Sequence, residues 1–458
     1  MLEQIEHLVV LMLENRSFDH ILGCFQQLYP GLNGIDPGAP PRSNPNTADI
    51  PVLQAAGAER VLANDPKHET RDVLVWQLRD ANNSGFVMDY AVNYPDSTDF
   101  DQQQVMLYHN LDSLPALHAL ARHFTICDRW FSSVPGPTWA NRLFAMSGTS
   151  QGRVIMPTGI MDMDVHWYDQ LTVFDRLNEK NISWKVYFGD FPLSLVLVNQ
   201  RAAQNLIRHR PMTEFFEDTA GDPADFPAFS WIEPTYLSSG ANDDHPPHDI
   251  LAGEQLIAHV YNALRKNSKL WSSTLLVLLF DEHGGFYDHE SPPKTIPPDF
   301  HQDEYTFDRL GVRVPCILAS PWVPQGVLPT QFDHTSLLKF VTERWDLGQL
   351  GARTAAANSF AGHLLTAARP EASMPVSIPF LPASLATARP QPTTLNDNEL
   401  AIFALSHLLE ASGEEEPALI VSRSRQILSG SQIKRDVAVD RLDAYIKAAA
   451  RRTIRAAI

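Results

Sequence analysis

Several things are scarce in this 458-residue chain, and each absence excludes a class of function. The three cysteines, Cys24, Cys127 and Cys316, form no Cys-x-x-Cys pair, so the chain has no thiol redox motif and no cysteine zinc site. Two lie in apolar strand-like runs and Cys24 just follows one, so they read as small buried hydrophobes. So sparse and odd a count suits a reducing compartment. Basic residues are outnumbered, 36 Lys and Arg against 54 Asp and Glu, for a net charge of -18. Such a balance argues against nucleic acid and against docking on anionic lipid, leaving zwitterionic lipid or a small soluble substrate open. No apolar run approaches the ~18 residues that cross a bilayer. Met1 leads into a core strand without a basic leader or cleavage site, so the expected location is cytoplasmic, with export of a trimmed form left open. There is no Walker A loop, no dinucleotide fingerprint and no internal repeat.

What is present is an ordinary globular composition, 44% hydrophobic and 20% charged, in which strand and helix signals alternate. Strands are expected at 5–13, 125–132, 182–188, 227–233, 274–280 and 312–320. Helices are expected at 111–123, 138–147, 173–180, 249–266 and 335–345. This order predicts an α/β fold, a mostly parallel central sheet with helices on both faces. Residues 31–66, rich in Pro, Gly, Asn and Asp, read as a long loop covering a site. The expected division is a catalytic domain over 1–368, a Pro- and Ala-rich linker or wrap over 369–396, and a helical segment over 397–458. The last helix, about 432–458, carries Lys434, Arg435, Arg441, Lys447, Arg451, Arg452 and Arg455 and is expected to pack on the acidic main body.

The chemistry gathers where strands end. The uncharged run Thr274 to Phe280 stops at Asp281 and Glu282, and Leu8 to Leu13 stops at Glu14 and Asn15. Ligands of open α/β sheets bind at carboxyl strand ends, and adjacent buried acids need a cation. Glu14, Asn15, Asp281 and Glu282 therefore read as one oxygen-only site for a single divalent ion, with Ca²⁺, Mg²⁺ or Mn²⁺ favoured and Zn²⁺ allowed. Gly284 and Gly285 let the strand stop there, so that both neighbouring acids reach one point.

Thr138 follows the turn Val134-Pro-Gly-Pro137 at the start of a helix. It reads either as an N-cap or as a nucleophile placed where helix N–H groups favour phosphate. Three carboxylates against one divalent ion leave the metal site near -1, so an incoming phosphate needs further positive donors, and histidines are the natural supply. The candidates are His68, His245, His248, His283, His289 and His334, with His248 favoured because it just precedes the 249–266 helix. Gly148-Thr-Ser150-Gln-Gly152 matches a nucleophile elbow in letters only, since a helix precedes it where a strand is required.

The segments Glu-Asn-Arg-Ser-Phe-Asp-His (14–20), Pro-Gly-Pro-Thr-x-x-Asn-Arg (135–142), Phe-Asp-Glu-His-Gly-Gly-Phe-Tyr-Asp-His (280–289), Gly-Val-Arg-Val-Pro (311–315), Ser-Pro-Trp (320–322) and Phe-Asp-His-Thr-Ser (332–336) follow one another along the chain. Over about 1–365 the chain resembles the bacterial phosphoesterase family. That family includes non-haemolytic phospholipases C and an acid phosphatase, within the alkaline-phosphatase-like superfamily. The resemblance implies a metal held by Glu14, Asn15, Asp281 and Glu282, and Thr138 as nucleophile. It also implies catalytic or phosphate-binding roles for His68, His245 and His248. His166, His289, His334 and Asn141 would bind substrate. The implied activity is phospholipase C type hydrolysis of a phospholipid such as phosphatidylcholine, with a phosphomonoesterase as the alternative and a non-catalytic effector on a relic fold as a remote one. The chain beyond 370 is not covered.

Overall fold

The computed structural model describes residues 2–80, 82–157, 163, 167–237, 240–379 and 395–411. His166, much of the expected linker and the basic segment 432–458 lie outside them. An eight-stranded sheet organises the chain. Its strands are β1 (His7–Leu13), β2 (Thr125–Cys127), β3 (Trp184–Phe188), β4 (His209–Pro211), β5 (Phe229–Glu233), β6 (Thr274–Phe280), β7 (Cys316–Ala319) and β8 (Gly326–Leu328), in spatial order β8-β2-β7-β6-β1-β5-β3-β4. All neighbours run parallel except β7, which is antiparallel to both β6 and β2. The expected α/β class is thus observed, with helices packed around a mixed, mostly parallel sheet.

β1 and β6 are buried at every position, as strands covered on both faces must be. The expected strands at 125–132 and 312–320 are shortened most, each for its own reason. Pro315 has no N–H to give a ladder, so β7 begins at Cys316. On the other side the Arg313 guanidinium takes the Asp128 carbonyl at 2.7 Å, so β2 ends at Cys127. Helix α1 (Pro115–His123) starts later than expected because Pro115 occupies its first turn, where a missing N–H does no harm. Helices α2 (Thr138–Ser147), α3 (Val173–Glu179), α4 (Ile250–Lys266) and α5 (His334–Trp345) match expectation closely. The long loop carries short strand pairs, 43–45 with 51–53 and 55–56 with 107–108. A further helix, α6 (Asp397–Ala411), buries Ala401, Ile402, Leu405 and Leu409 in the main core.

Candidate active site

Register sets the site. Leu13 lies opposite Phe280, so Glu14 and Asp281 leave the sheet side by side. Asn15 turns the chain at φ +61°, a left-handed conformation that Asn tolerates better than most residues. That turn lets the Asn15 N–H donate to Asp281 Oδ1 at 3.0 Å, and Arg16 N–H to the Glu282 carbonyl at 3.0 Å. Gly284 also sits at positive φ, and a Cβ there would run into the Asn15 carbonyl. Glycine is what allows the two strand-end loops to touch.

All four expected metal-site residues are fully buried. Asp281 Oδ2 and Glu282 Oε1 have no hydrogen-bond partner among the described residues. Orphaned buried carboxylate oxygens fit a hard divalent cation, which Glu14, Asn15, Asp281 and Glu282 could hold. Burial pushes the Glu14 carboxyl well above its usual range, with Arg142 opposing. Burial likewise moves Asp281 up to about 6, again against Arg142. For Glu282, burial is outweighed by His68 and His283, and its carboxyl is lowered.

The strand ends do have a basic partner. Arg142 Nη2 lies 3.2 Å from Glu14 Oε1 and its Nε 3.6 Å from Asp281 Oδ2. The sequence reading assigned Arg142 no role, although its α2 spacing, one turn past Thr138, aims it at the same edge. One positive charge is thereby added to a site counted near -1.

Thr138 is the first residue of α2 and makes no cap; its hydroxyl instead donates to Asn15 Oδ1 at 3.3 Å. The N-cap position is Pro137. Asn141 is spent on the turn before the helix: its side chain accepts from Val134 N–H at 3.0 Å and donates to the Gly136 carbonyl at 2.8 Å. It shapes the loop that presents Thr138.

The histidines divide. His68 reaches Asn15 Nδ2 at 3.2 Å and Asp397 Oδ2 at 3.1 Å. His245 reaches Asp397 Oδ1 at 3.2 Å. Burial alone would lower both imidazoles, but Glu282 and Asp397 beside His68, and Asp65 and Asp397 beside His245, hold them well above their usual range. His248 stands behind His245 with Nδ1 on Asp243 at 2.7 Å, which outweighs burial and raises it to about 9. His334 accepts from the Trp130 indole at 3.2 Å and donates to the Asp281 carbonyl at 2.6 Å. Burial lowers it to about 4, so at neutral pH it is a neutral brace with no nitrogen left for substrate. His289 is also fully engaged, by Asp19 at 2.8 Å and Asn33 at 2.8 Å, in a separate buried network around Arg313. His283 holds Gln77 at 2.7 Å and Glu282 at 3.2 Å.

Three further participants escaped the sequence reading. Asp65 stands three residues before His68, in Asp-Pro-Lys-His. Asp397 and Asn398 come from the start of α6, where the Asn-Asp-Asn-Glu run signals a helix N-terminus and nothing more. Asn398 Nδ2 donates to both Glu14 oxygens, at 2.9 and 3.0 Å, while its Oδ1 accepts from the Trp139 indole at 3.0 Å.

The pocket is thus a buried set of acids, protonatable imidazoles and one hydroxyl at a helix N-terminus, the equipment for moving a phosphoryl group. Residues 5–348 match the model of the phosphoesterase family. Non-specific phospholipase C6 of Arabidopsis thaliana is 33% identical over 484 residues, covering 99% of this chain and 88% of its own. Phospholipase C B of Mycobacterium tuberculosis is 31% identical over 396 residues, covering 75% of this chain and 74% of its own. Among solved structures, a protein in the alkaline phosphatase superfamily from Vibrio parahaemolyticus aligns over 72% of this chain and 76% of its own, at 10% identity and a TM-score of 0.34. The chain belongs to the phosphoesterase family and is a hydrolase of phosphoric ester bonds.

Proposed function

We propose that the chain cleaves a phosphodiester of a zwitterionic phospholipid in the manner of a phospholipase C, with Thr138 as nucleophile. The observation that carries this reading is the Thr138 hydroxyl, 3.3 Å from Asn15 Oδ1 at the start of α2, where free helix N–H groups favour phosphate oxygens. Relatives named phospholipases C support the substrate class. A divalent ion held by Glu14, Asn15, Asp281 and Glu282 would lower the hydroxyl's pKa and neutralise charge on the phosphate. Thr138 Oγ1, its proton released to solvent, attacks phosphorus in line. The bond to the glycerol oxygen breaks, and a protonated imidazole, His68 or His245, supplies the leaving oxygen's proton. Water then gives one proton back to that imidazole and attacks phosphorus, and Thr138 leaves as the alkoxide that began the cycle. Arg142 offsets part of the negative charge of Glu14 and Asp281, and Asn398 orients Glu14.

Thr138→Ala is expected to abolish turnover of p-nitrophenyl phosphorylcholine with the melting temperature unchanged; full turnover would overturn the nucleophile assignment. Wild type is expected to prefer that diester over p-nitrophenyl phosphate. Strong preference for the monoester would replace the phospholipase reading by an acid phosphatase one.

A further inference from the structure

We propose that Cys127 and Cys316 form a disulfide site, kept as two thiols or closed to a bond according to the redox conditions in which the chain folds. The chain has three cysteines in 458 residues. Two of them, far apart in sequence, meet in register. β2 and β7 run antiparallel, with Ile126 opposite Ile317 and Thr125 opposite Leu318. One step further along each strand sets Cys127 opposite Cys316, at the end of β2 and the start of β7. Directly opposed residues of an antiparallel pair point to one face, with Cα atoms about 4.5 or 5.5 Å apart. Both spacings fall inside the window of about 4.4–6.8 Å that a disulfide spans.

The side chains meet as the register requires. Burial pushes the Cys316 thiol well above its usual range, and its hydrogen bond to the Cys127 sulfur adds to the effect. Cys127 is 0% exposed and Cys316 1%. On its other edge Cys316 is flanked by Leu279 of β6, so the finished sheet encloses the pair. Cys24 is buried too, but it lies outside the sheet, in the helical turn Gly23–Gln27.

The oxidant is a low-molecular-weight disulfide such as oxidised glutathione. One cysteine thiolate attacks it, forming a mixed disulfide and expelling one small thiolate. The second cysteine thiolate attacks the protein sulfur of that mixed disulfide. The Cys127–Cys316 bond forms and the second small thiolate leaves. The two protons lost by the cysteines end on the two departing thiols, and the two electrons on the reduced small disulfide.

Burial decides when this exchange can run, because it needs an accessible thiolate. In the finished sheet the pair offers neither access nor charge, so the native thiols are inert. Before β2 and β7 pair, both thiols meet solvent and ionise as ordinary cysteines do. The redox state is therefore set during folding and held afterwards.

The test is cell-free synthesis of the full chain, once with dithiothreitol and once with oxidised glutathione and a disulfide isomerase. Both media should give soluble protein with the same circular dichroism. The oxidised product should be lighter by two hydrogens, yield a peptide pair joining Cys127 to Cys316, and keep Cys24 open to alkylation in denaturant. Cys24→Ala should form the same bond, and Cys316→Ala should form none. Native reduced chain placed in oxidised glutathione should lose thiols at least roughly 100-fold more slowly than the same chain in concentrated urea. Soluble oxidised protein that retains three thiols overturns the site, and so does a bond to Cys24. Soluble product from the reducing medium alone does the same, because a bond that fits the native sheet would not block folding. Equal rates of thiol loss from native and unfolded chain overturn the assignment of the redox state to the folding step.

Discussion

Asn398→Asp is a change of almost no volume with a large expected consequence. The Trp139 indole only donates, so Asn398 must turn its oxygen toward Trp139 and its NH₂ toward Glu14. The variant therefore sets a carboxylate oxygen about 3 Å from the Glu14 carboxylate, where Nδ2 now lies at 2.9 and 3.0 Å. At an effective dielectric near 20, two unit charges about 3 Å apart repel by roughly 5 kcal/mol. A proton shared by the two carboxyls limits that loss, and Glu14, already pushed up by burial against Arg142, is the group that takes it. The expected destabilisation is about 3–5 kcal/mol near pH 8 in the presence of chelator. A folded-state carboxyl raised above its unfolded value means that the folded state binds more protons. The deficit relative to wild type therefore shrinks as pH falls and grows as pH rises. Asn398→Ala introduces no charge and loses about 1.5–3 kcal/mol, with little dependence on pH. Urea midpoints of the three proteins at pH 5.5 and 8 decide the matter. An Asn398→Asp protein equal to wild type at pH 8, or one that weakens relative to wild type on acidification, would refute the reasoning.

Arg313→Leu should cost about 3–5 kcal/mol in urea unfolding, because it strands the fully buried Asp19 and Asp288 carboxylates without their cation. Arg313→Lys, which keeps the charge but loses the fork that also serves the Asn33 and Asp128 carbonyls, should fall between. Asp19 gives the opposite pH sign from the Asn398 variant. Burial opposes its ionisation, but His289 and Arg313 outweigh it and hold its carboxyl well below the usual range. Its contribution is full above the unfolded value near 3.9 and is lost as pH falls below that. An Asp19→Asn protein should accordingly show a flatter acid limb in a pH-melt series, and an unchanged limb would count against the ion pair.

Much of this was legible in the sequence, and the rest failed for local reasons. Uncharged runs ending in acids announced β1, β6 and the acids at their ends, because a strand buried on both faces has no room for charge before its end. Thr138 was legible as the end of a two-proline turn. The histidines were less so, because ring nitrogens are assigned by contacts far away in the chain: His334 to Trp130 and Asp281, His289 to Asp19 and Asn33. Asn398 was illegible, since nothing near it in the chain distinguishes an amide that reaches Glu14, 384 positions away, from an ordinary first-turn residue.

The place of β1 in the sheet has a consequence for biosynthesis. It lies between β5 and β6, and neither exists until residues 229–233 and 274–280 have been translated. At roughly 5–20 residues per second, β1 waits on the order of 10–50 s after leaving the ribosome, an apolar strand with both edges open. Yield in recombinant hosts should then depend on holdase chaperones that cover nascent residues 7–13 during that interval.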